Sequence, residues 1–232
     1  WESYNPDFGG IYKLHCEGQN LFVYQERKIM RIGVLQASFE DPTTGSRIVG
    51  ISEDVLAKLP FYYEGEYGIG KNPESFAYYG SAKYNVDVNR GVVLRLSNDG
   101  LTAISDVFNM NSHFSYKCGL ILSASARVNI YGVFDVRFGE YIAAFKNFSA
   151  PSGDYPGETI AFNEDKKMFS TFYSYLPEMM CSNGIDIISF KAGSLYKHNT
   201  NALYNYFYGV QYKSLLWAYC NAHPSDVKVF EA

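Results

Sequence analysis

Apolar and polar positions alternate along this chain as short β-like runs separated by polar turns. The clearest case is Val128-Asn129-Ile130-Tyr131-Gly132-Val133-Phe134, then the turn Asp135-Val136-Arg137-Phe138-Gly139, then Glu140-Tyr141-Ile142-Ala143-Ala144-Phe145. Two β runs joined by a polar turn that ends in glycine predict a hairpin. The same device stands upstream, where Tyr84-Asn85-Val86 and Val92-Val93-Leu94-Arg95-Leu96 flank Asp87-Val88-Asn89-Arg90-Gly91. Gly91, Gly139 and Gly193 recur at intervals close to the roughly 40–50-residue period of propeller blades. A second hairpin follows the first: Glu158 to Phe162, the turn Asn163-Glu164-Asp165-Lys166-Lys167, and Met168 to Tyr173. Residues 126–175 thus hold four strands in up-and-down order, which is what a blade requires.

The remaining segments fit around these units. Asn20 to Tyr24 and Ile29 to Leu35 predict a first hairpin, followed by a turn at Asp41 to Gly45 and a strand at Arg47 to Ile51. Residues 1–18, with Asn5-Pro6-Asp7 and Gly9-Gly10, read as irregular. Ser52 to Leu59 predicts one short helix, because Ser52 suits a cap, Glu53 and Asp54 suit the positive end of the dipole, and Pro60 stops it. Val107 to Phe114 reads as a short helix or loop and Cys118 to Leu122 as a strand. Ile185 to Phe190, Ser194 to Lys197, Tyr206 to Tyr212 and Leu215 to Tyr219 supply the last strand candidates. The expected architecture is all-β: a β-propeller-like array of antiparallel four-stranded blades with one short inserted helix at 52–59. Blade-like units fall at about 20–50, 76–105, 126–175 and 184–219 of one β-rich domain over 1–232. A sandwich or irregular barrel gives similar spacing. The chain starts at Trp1, which points to a processed product or to part of a larger propeller or polypeptide.

Composition supports the β reading. Aromatics are 17% of the 232 residues, with 21 Tyr and 17 Phe, and these residues favour a pleated, half-buried surface. The formal net charge of −4 gives no general basic field, so contact with DNA is not indicated by charge. Cys16, Cys118, Cys181 and Cys220 lie far apart and read as scattered buried thiols rather than a zinc or disulfide framework. No apolar run approaches the roughly 20 residues that span a bilayer, so no membrane segment is expected. No basic-then-apolar leader is present either.

Each candidate for chemistry has a plainer reading. Gly65-Glu66-Tyr67-Gly68-Ile69-Gly70-Lys71 nearly fits a phosphate loop, but Asn72 stands where the magnesium-binding hydroxyl belongs and Pro73 follows. No nucleotide partner is therefore expected. Asp87, Asp135, Glu140 and Glu164 offer carboxylates for a glycosidase pair, which must face one cleft about 5–10 Å apart. The recurrence of Asp87 and Asp135 before their turns favours acceptors for backbone N–H groups. His15, His113, His198 and His223 lack metal-ligand spacing. Ser125, Ser170 and Ser189 lack the glycines of a nucleophile elbow, and Asn147-Phe148-Ser149 reads as a chance glycosylation sequon. No catalytic, cofactor-binding or metal residue is assigned, and no cofactor is expected. Phe61-Tyr62-Tyr63, Tyr78-Tyr79 and Tyr204-Asn205-Tyr206-Phe207-Tyr208 suit an interface or a sugar-stacking surface, or equally a core.

One resemblance adds to this. Ile160-Ala161-Phe162-Asn163-Glu164, Phe172 to Met179, Ser189 to Asn199 and Tyr208-Gly209-Val210-Gln211-Tyr212, with Asp87 to Gly91 and Asp99 to Ser105, resemble tail proteins of crAss-like bacteriophages, the muzzle or stabilisation proteins. The resemblance covers about residues 76–213. It implies a non-enzymatic, propeller-like virion component of a short tail, related in role to tail hubs. It also implies synthesis in the host cytoplasm, contacts with other tail and portal proteins, and a homo-oligomeric ring. Phe169 stands where the family's outer blade strand would carry Trp, and the family's proteins are longer. The alternative is a carbohydrate-binding or glycan-cleaving β-propeller.

Overall fold

The computed structural model describes residues 4–40 and 47–216, the side chains of 36–40 and 47–54 excepted. Antiparallel sheets follow one another in chain order. The first holds β1 (Ile11–Glu17), β2 (Asn20–Gln25), β3 (Ile29–Glu40) and β4 (Arg47–Leu56), with β5 (Phe61–Tyr62) pairing back on β3. The second is β6 (Ala77–Tyr79), β7 (Ala82–Asp87), β8 (Val92–Ser97) and β9 (Gly100–Ala103). Two helices follow, α1 (Ile104–Val107) and α2 (Asn111–Ser123). The third sheet contains β10 (Ile130–Asp135), β11 (Glu140–Phe145), β14 (Glu158–Asn163) and β15 (Met168–Tyr173). A small hairpin, β12 (Phe148–Ala150) and β13 (Gly153–Tyr155), interrupts it. The fourth is β16 (Met179–Asn183), β17 (Asp186–Lys191) and β18 (Ser194–Lys197), followed by the hairpin β19 (Tyr206–Phe207) and β20 (Val210–Gln211). Among the described residues no helix is long and apolar enough to cross a membrane.

The all-β expectation and the central hairpins are as observed, and several finer expectations are corrected. Ser52 to Leu59 is not a helix, because β4 runs through Leu56 and the Ala57 N–H donates to the Gly33 carbonyl at 2.8 Å. Eight residues repay helix nucleation poorly, and pairing along β3 supplies the same hydrogen bonds at once. Residues 11–17, read as irregular, form β1. Cys118 to Leu122 is helical rather than a strand, since Phe114, Cys118 and Ile121 recur at helix spacing and bury one face of α2. Cys16 and Cys181 are exposed, because in their strands His15 and Met180 next to them take the inward face, and among the described cysteines only Cys118 is buried. Burial pushes the Cys118 thiol up to about 12. The sheets have five, four, four and three strands rather than four each. The expected turn at 41–45, Cys220, His223 and the strand candidate beyond 216 lie outside the described residues.

Consecutive sheets pack face to face, and each contact has its own core. Phe22, Tyr24 and Ile29 of the first sheet meet Val92, Leu94 and Leu96 of β8. Tyr84, Val86 and Val93 of the second meet α2 and Phe134, Tyr141, Phe145 and Phe162 of the third. The reverse face of the third sheet, with Tyr131, Val133, Ile142 and Ala144, meets Met180 and Ile187 of the fourth. Sheets two and three are therefore covered on both sides. That explains why β8, β10 and β11 read as nearly continuous apolar runs instead of alternating. Phe169 sits in the third sheet with its ring 5.2 Å from both Phe114 and Phe162.

The first strands β1, β6, β10 and β16 converge on one cavity of about 330 Å³, lined among others by His15, Phe76, Tyr131 and Met180. The approach there is close: a Cβ on Gly132 would fall on the Ser75 carbonyl, which also accepts the Tyr141 hydroxyl at 2.7 Å. The turns at Asp87 and Asp135 share one geometry, with Asp accepting the N–H two residues on (3.0 and 2.9 Å) and Gly91 and Gly139 at φ 67° and 63°. The turn at Asn163 is a variant, with Asn163 Oδ1 accepting the Lys166 N–H three residues on (2.8 Å) and Lys167 at φ 51°. The recurrence is of turn type and not of blade position. Gly91 closes the turn between the second and third strands of its sheet, Gly139 the turn between first and second. Among the described residues no strand pairing joins the fourth sheet to the first.

Candidate functional site

The four carboxylates singled out from the sequence are all engaged in separate internal networks. Asp87 accepts three backbone N–H groups, from Gly68 (2.7 Å), Asn89 (3.0 Å) and Arg90 (3.3 Å). Burial nevertheless raises its pKa above the usual carboxylate range, since desolvation outweighs those bonds. Glu164 accepts from Tyr84 Oη (2.6 Å), Arg95 Nη2 (2.7 Å) and Nε (3.1 Å), and Lys167. Burial acts to raise its pKa, but these donors hold it below the usual range. Asp135 and Glu140 form the last rung between β10 and β11 and are thus neighbours. Asp135 takes the Arg137 N–H and the Asn199 amide (3.0 Å), while Glu140 takes Ser170 Oγ (2.9 Å), Asn163 Nδ2 (3.3 Å) and Tyr173 Oη (2.9 Å).

The glycine-rich loop at 65–71 is pinned by the protein itself. The Gly68 N–H points to Asp87, the Gly68 carbonyl accepts the Asn85 amide (2.9 Å), and the Ile69 and Gly70 N–H groups go to Gln25 and Glu26 carbonyls. Donors that would cradle a phosphate are thereby occupied. His15 stacks among Phe22, Phe76 and Tyr78, and His113 pairs with Glu158 at 2.9 Å. Asn147 turns its Oδ1 to the Gly157 N–H at 2.6 Å. Among the described residues no group of three or more His, Cys, Asp or Glu side chains is placed to hold a metal.

The structure brings together two residues that sequence reasoning set aside singly. Ser189 Oγ lies 2.7 Å from His198 Nε2 and 2.8 Å from Tyr208 Oη. The turn at Ala192-Gly193 pairs Ser189 with Tyr196, and the His198 N–H donates to the Ile187 carbonyl, so hairpin register was the signal available. This is the spacing of a nucleophile and its base, but Ser189 is 0% exposed and its oxygen is shared with Tyr208. Burial lowers the His198 pKa, with Asp135 opposing, so the ring is neutral near pH 7. The trio acts as a clamp that fastens the β19–β20 hairpin to the fourth sheet.

His198 of that clamp lines a groove of about 360 Å³ between the third sheet, the fourth sheet and residues 198–207. Asp135 reaches it from the end of β10, Tyr173 from the end of β15, Tyr175 from just beyond it, and Ile187 from β17. The far wall is polar and aromatic, with Asn199, Asn201, Tyr204 and Tyr206. Asn199 and Asn205 hold positive φ (59° and 53°), which Asn tolerates better than most residues. The ring of Tyr175 lies 5.2 Å from Tyr173 and 4.8 Å from Phe207, tilted by 35° and 48°, so the buried Tyr175 backs two partly exposed rings. Of this site the sequence marked the Tyr204–Tyr208 cluster and Asp135 but not the asparagines. Set against known proteins, the chain matches no family model and no curated protein sequence.

Proposed function

We propose that this chain is a structural component of a short bacteriophage tail, a propeller-like blade array that works through protein–protein contacts. The observation that carries the reading is the convergence of β1, β6, β10 and β16, the first strand of every sheet, on one central cavity, with the sheets stacked around it in chain order. Up-and-down sheets packed face to face with their first strands inward are how propeller blades are arranged. The resemblance over residues 76–213 supplies the tail assignment and its partners, other tail and portal proteins and further copies in a ring. Exposed large apolar side chains such as Leu14, Tyr78, Tyr79 and Leu195 give such contacts a surface.

Cleavage of glycans is the less favoured reading. It requires two carboxylates that face a substrate, whereas Asp87, Asp135, Glu140 and Glu164 spend their oxygens on the protein's own donors. The test is to look for the chain in purified virions by mass spectrometry and to image the isolated protein by electron microscopy. Co-purification and ring-like particles are expected. A stable monomer absent from virions overturns the assignment.

A further inference from the structure

We propose that the groove between the third and fourth sheets binds a neutral saccharide. Three features point there. The partly exposed rings of Tyr173 and Phe207, backed by the buried Tyr175, line it, and Tyr204, 90% exposed, and Tyr206 stand at its rim. Sugar C–H faces stack on such rings while the hydroxyls need donors and acceptors around the edge. The edge supplies them in the Nδ2 group of Asn201 and in the Oδ1 atoms of Asn199 and Asn205, the Nδ2 groups of which are held by Asp135 and Ser214. A cavity of about 360 Å³ is also within the range of small-molecule sites, roughly 300–1,000 Å³.

The competing ligand classes fit less well. An anion would meet the carboxylate of Asp135 with no Lys or Arg among the lining residues. Arg137, close by, has its guanidinium on Asp186 (2.6 Å) and the Asn199 carbonyl (3.2 Å). A quaternary ammonium needs rings held apart around it, but here the Tyr173, Tyr175 and Phe207 rings pack on one another. A purely apolar ligand would cover the Asn201 Nδ2 group and the Asn199 and Asn205 Oδ1 atoms without giving them partners. The walls are also set in advance, because Asp135 holds Asn199, and the Ser189–His198–Tyr208 clamp holds the hairpin that carries Phe207. A groove fixed before binding spends less of its interaction energy on ordering.

The test is a glycan array with the full chain, followed by calorimetric titration with neutral oligosaccharides of glucose, galactose, mannose and N-acetylglucosamine. Tetramethylammonium and sialyllactose serve as the cationic and anionic probes. At least one neutral sugar is expected to bind, with affinity lowered about tenfold in Tyr204→Ala, the effect of losing one stacked ring. Tyr204 is exposed enough that its removal leaves the melting temperature unchanged, which separates binding from folding. Asn201→Ala checks the polar edge in the same way and is expected to weaken the same sugar. No binding of any neutral sugar up to about 10 mM, weaker than the millimolar range, overturns the proposal. So does sugar binding that both variants leave intact, or binding of tetramethylammonium or sialyllactose alone. The outcome is independent of the tail assignment, since absence from virions leaves the groove's binding untouched and a flat array leaves tail assembly untouched.

Discussion

Single carboxylates in this protein do the work of fastening one segment to another. Glu164, in the turn after β14, reaches Tyr84 and Arg95 of the second sheet and so ties two sheets together. Replacing it with Gln is expected to cost about 1–2 kcal/mol at pH 7, below the upper range for charged hydrogen bonds because a fifth of the side chain is exposed. Its pKa is lowered in the fold, so its contribution is present above the unfolded value near 4.3 and is lost as pH falls through the lower folded value. Urea unfolding of wild type and Glu164→Gln should therefore differ at pH 7 and converge as the pH falls past the unfolded value and through the lower folded one. A constant gap across that range would contradict the network. Asp87 and Asp135 look equivalent in sequence, but Asp87→Ala is expected to cost more. It orphans the buried Gly68 N–H as well as its own turn, about 1–3 kcal/mol, against about 0.5–2 kcal/mol at Asp135, itself buried but partnered by Arg137 and Asn199, exposed residues whose donors can turn to water. Equal losses on chemical denaturation would show that the Gly68 bond adds nothing.

At the level of elements, the hairpins were legible and the helices only in part. β10–β11 and β14–β15 were readable because their polar turns are long, begin with Asp or Asn and lie between apolar runs. Val107 to Phe114, read as a short helix or loop, meets the end of α1 and the first turn of α2. The rest of α2 read as a strand because Cys118-Gly119-Leu120-Ile121-Leu122 is apolar on successive residues, and only its packing shows that Cys118 and Ile121 matter most. Ser52 to Leu59 erred the other way, since a good local cap lost to non-local pairing with β3. The groove was half readable: its aromatics stood out, but the asparagines join it only through backbone φ values that sequence does not announce. Two glycines test the assignment of elements. Gly119→Ala, on the open side of α2, should stabilise by about 0.4–1 kcal/mol. Gly132→Ala, driven against the Ser75 carbonyl, should destabilise by about 1–3 kcal/mol. Thermal melts of the two variants moving in opposite directions is the expected result, and a stabilised Gly132→Ala would refute the close approach.

Across the whole molecule, each apolar core between sheets among the described residues joins one sheet to the next in the chain, while the first strands of all four line a shared cavity. The two inner sheets are covered on both faces, and the outer ones carry exposed strands such as β18. Such a series behaves less like one globule than like a row of dominoes coupled to nearest neighbours. Opening should start at an end, and amide hydrogen exchange should report it as a gradient. The slowest exchange is expected in β8 and β11, with β18 far faster. Uniform protection across the four sheets would rule this out. The groove rests on the last coupling of the series, between sheets three and four. Anything that seats against the fourth sheet, a neighbouring copy above all, would quiet the fluctuations of that end and sharpen whatever the groove holds.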